Sequence, residues 1–271
     1  MPRNRRRLLT VPNSLALSTV PPSRRLLERA RPSAPVVMRQ RWSDLLFLHW
    51  PVAPESIREH LPEGLSVDLY EGRAWLGLVP FRMSGVRPRF LPAAPGVSSF
   101  PEYNLRTYVI DRKGRPGVWF FSLDTPKSLA NWIARTFFHL NYRRAEISVN
   151  LLPNGTIDYL SRRAGQAASD HFRWTPTGRP FEAVPGSLEF FLVERYRLFA
   201  FDRSKGRIYS GKVHHEPYAI QSAELERFGT ALFGINGLAA PEGPPASVLA
   251  SPGVDVRIFP LQRIGDSDPD D

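Results

Sequence analysis

Residues 100–123 read FPEYNLRTYVIDRKGRPGVWFFSL, two strand-length runs on either side of the turn Asp111-Arg112-Lys113-Gly114. Alternating polar and apolar residues around such a turn predict a β-hairpin. Successive strand residues point to opposite faces, so Glu102, Asn104, Arg106 and Tyr108 share one side of the first strand. Tyr103, Leu105, Thr107 and Val109 share the other. The second run is apolar on both faces over 118–123, as is 74–81, so the sheet holding them must be covered on both sides.

The same grammar extends outward. Short apolar runs cut by Gly and Pro at 45–50, 65–70, 74–83, 103–110, 117–123, 142–151, 157–162, 171–175, 196–201, 212–215 and 254–259 have strand length and composition. Pro153-Asn154-Gly155 marks a second hairpin. Helical spacing is confined to 126–140, where Leu129, Trp132, Ile133, Thr136, Phe137 and Leu140 recur on one face behind a Thr125 cap and Pro126, and to short stretches at 54–60, 188–193 and 223–228. The fold class predicted is mainly β with a few helices (α+β): a closed or strongly curved antiparallel β-barrel with helices packed outside.

The net charge of +10 is unevenly placed. Residues 1–41 hold ten arginines against the single acid Glu28, leaving 26 basic and 25 acidic side chains for the rest. A nearly neutral remainder has no global field with which to hold nucleic acid. The Arg-, Ser- and Pro-rich stretch 1–37 predicts a basic tail that does not pack, with a domain over 38–265 and an acidic fray at 266–271. A mitochondrial transit peptide has a similar composition, and Met38, directly before the first patterned segment, is an alternative start. No run approaches the ~20 apolar residues of a membrane helix and no secretory core is present, so a cytoplasmic protein is expected. The absence of cysteine excludes disulfides, thiolate metal sites and cysteine nucleophiles. His214 and His215 are adjacent and so diverge, and the other histidines are scattered; no metal and no cofactor are expected. Phosphate loops, nucleophile elbows and metalloprotease motifs are missing.

Two polar rows remain as candidates. Glu102 and Arg106 are about 13 Å apart at a rise of ~3.3 Å per residue and do not pair directly. Their row either faces solvent or lines the barrel interior, where a carboxylate could move protons and an arginine could clamp an anion. On 142–151, Arg143 ends the apolar row of Ala145, Ile147, Val149 and Leu151, while Tyr142, Arg144, Glu146 and Ser148 share the other face. Arg143 either snorkels at the rim or enters the cavity to meet a carboxylate.

Taken in order, 40–52 (QRWSDLLFLHWPV), 61–65 (LPEGL), 75–83 (WLGLVPFRM) and 100–109 (FPEYNLRTYV) resemble the YqjF-like family of bacterial proteins of uncharacterised function, and more distantly acetoacetate decarboxylase. The resemblance implies a closed, cone-like barrel. It also implies a Schiff-base lysine beginning a strand after a helix, which falls on Tyr142-Arg143 or Arg143-Arg144. Neither pair contains lysine, and arginine stays protonated, so imine chemistry is not expected there. Glu102 corresponds to the family's catalytic glutamate and Arg41 to a substrate-binding arginine. Of the four lysines, Lys113 and Lys205 sit in turns and Lys127 opens a helix; Lys212 alone lies in a strand, leaving a lyase or decarboxylase acting on keto acids through Lys212 as the rival reading. The leading expectation is a cavity for a small anionic organic molecule, with Glu102 as the candidate acid or base. Arg106, Arg143, Asn104, Tyr108, Tyr142, Arg144 and Arg41 are its candidate ligand-binding residues. A homo-oligomer is compatible with this reading.

Overall fold

Thirteen strands belong to one sheet in a computed structural model that describes residues 20–93, 96, 98–126 and 139–265. They are β1 (Met38–Val52), β2 (Leu65–Val67), β3 (Ala74–Pro88), β4 (Phe100–Asp111), β5 (Pro116–Thr125), β6 (Tyr142–Leu151), β7 (Ile157–Arg163), β8 (Asp170–Phe181), β9 (Arg197–Asp202), β10 (Arg207–His214), β11 (Ile220–Arg227), β12 (Ser247–Ile258) and β13 (Gln262–Arg263). The described helices are short: α1 (Pro22–Glu28), α2 (Glu55–Arg58), α3 (Leu188–Val193) and α4 (Ala231–Ile235).

Both hairpins form where the turn residues place them. β4 and β5 pair from Tyr103↔Asp124 to Ile110↔Pro116, and β6 and β7 pair across Pro153-Asn154-Gly155. The sheet closes because most strands have two partners. β12, β1, β3, β4 and β5 are shared by two rings: β6, β7, β8 and β11 complete one of nine strands, while β9 and β10 complete the other. The sheet is antiparallel except at β5, which pairs in parallel with β6 and β9. Gly117 permits the second of these approaches, since a Cβ there would stand 2.6 Å from the Phe199 ring.

Each ring has its own core. The ring closed by β9 and β10 encloses Phe47, Val79, Phe81, Tyr108, Val213, Val256 and Ile258, with Phe190–Val193 of α3 packed against them. The nine-stranded ring encloses Leu48, Leu78, Leu105, Tyr159, Phe172 and Trp174. Strands apolar on both faces are thus those shared between rings, and each buried Leu, Val or Phe contributes about 1.5–3 kcal/mol. β1 changes parity to serve both. Trp42 and Leu45 face the same core because Asp44, with φ 52°, inserts a kink next to Ser43, whose partner on β12 is Gly253, φ 130°.

Two expectations change, and a third falls mostly outside the described residues. The stretch 223–228, rich in helix formers, belongs to β11 as far as Arg227, with Gln221, Ala223 and Leu225 half-buried and Ser222, Glu224 and Glu226 exposed. Pairing along β8 and β12 overrides propensity there. The predicted helix at 126–140 falls mostly on 127–138, outside the described residues, as does Lys127. Finally, the tail reading of 1–37 fails for its described part. Arg25 of α1 makes two 2.8 Å hydrogen bonds to Asp68, Glu28 pairs with Arg197 and Lys212, and Arg29 pairs with Glu194. The acids that hold these arginines lie far along the chain, so local composition does not reveal them.

Candidate functional site

β4 places Glu102 inside the ring closed by β9 and β10, because the even-numbered face of that strand points there. Tyr142, first residue of β6, stands beside it: β6 pairs with β5 at Leu123↔Tyr142, and β5 pairs with β4 at Asn104↔Leu123. The Tyr142 hydroxyl donates to Glu102 Oε2 over 3.3 Å. Both line a cavity of ≈ 70 Å³ whose remaining walls include Gln40, Trp42, Phe81, Met83, Phe120, Leu123, Leu198 and Ile258.

Electrostatics follow from these walls. Glu102 is 3% exposed, and its carboxyl is pushed up to about 8, chiefly by burial. Hydrogen bonds from Asn104 and Tyr142 pull the other way, and the nearby Asp124 charge adds to the rise. Burial, followed by the Glu102 charge, drives the Tyr142 phenol well above its ordinary value. At neutral pH the pair is therefore a carboxylic acid beside a phenol, both uncharged. Trp42 also lines the cavity, and its indole Nε1 is buried without a hydrogen-bond partner among the described residues.

The other predicted residues separate. Asn104 and Tyr108 are buried on the Glu102 face, but Tyr108 belongs to a second polar cluster: its hydroxyl lies 2.6 Å from His49 Nε2, and the Arg195 guanidinium stacks 4.4 Å from its ring centre. Arg195 in turn holds Asp68 at 2.6 Å. Burial, then the charges of Arg106 and Arg195, keeps His49 neutral. Arg106 is buried in this cluster, over the rings of Phe47 (5.4 Å) and Tyr108 (5.6 Å), with one nitrogen 3.5 Å from the Leu192 carbonyl. It does not line the Glu102 cavity. Gly77 makes the cluster fit, since a Cβ there would meet the His49 ring at 3.0 Å and Arg106 Cγ at 3.4 Å.

Arg143 and Arg144 are exposed and face an outer cleft with Arg163. The expectation that Arg143 reaches the Glu102 cavity is thereby corrected: beyond Tyr142, β6 continues in the nine-stranded ring away from that cavity, and both arginines are exposed. Arg41 is also outside, paired with Asp255 at 3.2 Å, while its neighbours Gln40 and Trp42 point inward. Lys212 lies on the face of β10 opposite Val213, which lines the cavity, and its Nζ is 3.4 Å from Glu28. Strand alternation held the signal for Gln40 and Trp42, since Met38, Gln40 and Trp42 form one row; the charge of Arg41 drew attention to the wrong row.

A profile of uncharacterized conserved proteins, DUF2071, matches residues 39–255. The chain belongs to the DUF2071 family. A relative, the uncharacterized protein YqjF of Bacillus subtilis, is 42% identical over 229 residues, 84% of this chain and 92% of its own length. Among solved structures, acetoacetate decarboxylase from Legionella pneumophila superposes with a TM-score of 0.60 at 13% identity, covering 88% of this chain and 91% of that one. The enduracididine biosynthesis enzyme MppR complexed with pyruvate superposes at 0.59 and 14% identity, covering 88% and 93%. This chain therefore has the acetoacetate-decarboxylase-like fold, and at such identities the likeness extends to fold alone. Of Tyr142, Arg143 and Arg144, the one that lines the Glu102 cavity in this DUF2071 chain is Tyr142, a phenol.

Proposed function

We propose that this DUF2071 protein binds a small organic molecule in the cavity between Glu102 and Tyr142, and that it does so without forming an imine. The observation that carries this reading is the Tyr142–Glu102 hydrogen bond inside the closed ring. A protonated carboxyl next to a phenol offers two donors and can pass a proton to or from a bound oxygen. It offers no amine. Lys212 is ion-paired with Glu28 on the far face of its strand, which argues against the keto-acid lyase reading.

The test is ligand-observed NMR with a panel of carbonyl compounds of three to four carbons, repeated on Glu102→Gln and Tyr142→Phe. Binding lost or weakened about tenfold in both variants, and unchanged in Arg143→Ala, fits the proposal. Binding indifferent to both substitutions refutes it. Borohydride treatment with acetoacetate should leave the intact mass unchanged, and an adduct on Lys212 would restore the imine route.

A further inference from the structure

The walls of the Glu102 cavity also bear on the charge of what enters it. Among the described residues that line it, none is Lys, Arg or His. Its lining residues with polar side-chain atoms are Glu102, Tyr142, Gln40 and Trp42, and the indole N–H of Trp42 is buried with no acceptor among the described residues. Leaving such a donor unsatisfied costs about 1–3 kcal/mol, so a bound acceptor gains what the empty site lacks. Arg106, on the same strand as Glu102, is turned toward Phe47, Tyr108 and the Leu192 carbonyl instead.

Resting on the reading that this cavity is the ligand site, we infer that it selects an uncharged carbonyl compound of a few heavy atoms, whose oxygen accepts from Trp42 Nε1–H, over a carboxylate. An ionised carboxylate placed there would have no cation to pair with, and its desolvation would cost several kcal/mol. The cavity treats its own carboxyl in the same way, keeping Glu102 protonated to about pH 8. The volume of ≈ 70 Å³ matches a group the size of a short ketone, hydroxyketone or diketone.

The experiment compares hydroxyacetone and 2,3-butanedione with pyruvate and acetoacetate on the intact chain at pH 6.5, by ligand-observed NMR and thermal shift. The uncharged probes should bind at least tenfold tighter than the anions. Trp42→Phe, which keeps the aromatic wall and removes the N–H, should weaken the uncharged probes about tenfold. The comparison within the unmodified protein stands even if that variant folds poorly. Tighter binding of the carboxylates, lost in Glu102→Gln or Arg106→Ala, overturns the inference and leaves the cavity as the site. Uncharged probes that ignore Trp42→Phe overturn the role of the indole. No binding by any probe, or binding that ignores both Glu102→Gln and Tyr142→Phe, removes the site and the inference with it.

Discussion

Glu102 keeps its proton at neutral pH because ionisation would strand a charge among Trp42, Phe81, Leu123 and Ile258. The consequence for stability has a definite sign. Between the ordinary carboxyl value of 4.5 and about 8 the folded protein holds a proton that the unfolded chain releases, so stability is full below 4.5 and is lost as pH rises toward 8. The loss is about 1.4 kcal/mol for each pH step, on the order of 5 kcal/mol in all. Glu102→Gln should abolish it: the difference between variant and native unfolding free energies should grow from pH 5 to 8 and then level off. A flat difference in denaturant titrations across that range would show that Glu102 is not desolvated. Gly77→Ala belongs to the same scale. Its methyl would press on His49 and Arg106, and a loss of about 1–3 kcal/mol is expected by calorimetry. The Glu102 face was legible in the sequence because period two is local. The outward course of Arg41 and Arg143 was not, since a charge is visible in a sequence but its ring is not.

Helix α1 shows how an element can be stabilised by partners that composition does not reveal. Seven residues make too short a helix to stand alone, and its N-terminal cap position is Pro21, without a side-chain hydrogen bond. What holds it is Arg25 on Asp68, shared with Arg195, together with Glu28 between Arg197 and Lys212. Removing one side of a buried ion pair costs about 3–5 kcal/mol because the remaining charge stays buried. A chain beginning at Met38 should therefore melt roughly 10 °C lower than the full chain at pH 7. Equal melting temperatures would mean that α1 contributes nothing to the barrel. β11 is the converse case: Ala223-Glu224-Leu225-Glu226-Arg227 favours a helix locally, and strand pairing decided otherwise.

For the molecule as a whole, histidines oppose the carboxyl. His215 is 3% exposed, stacked 4.7 Å from Tyr196, and burial holds its imidazole down to about 4. Its contribution is present above the ordinary value of 6.5 and is lost as pH falls through 4, on the order of 3 kcal/mol. His49 acts in the same direction. Glu102 thus weakens the fold toward alkaline pH and the histidines weaken it toward acid. His215→Phe, which keeps an aromatic ring in the stack, should flatten the acid side of the stability profile between pH 6.5 and 4 and leave the alkaline side unchanged. By itself the sequence determined most of the strands, both hairpins, the barrel-like class and which residues of β4 share a face, because alternation and turn chemistry act over a few residues. Which strands are shared between two rings, which of Tyr142, Arg143 and Arg144 meets Glu102, and which acids hold the basic N-terminal helix were decided only in three dimensions. Those choices depend on closure of the sheet, which joins residues more than a hundred positions apart and leaves no local pattern to read.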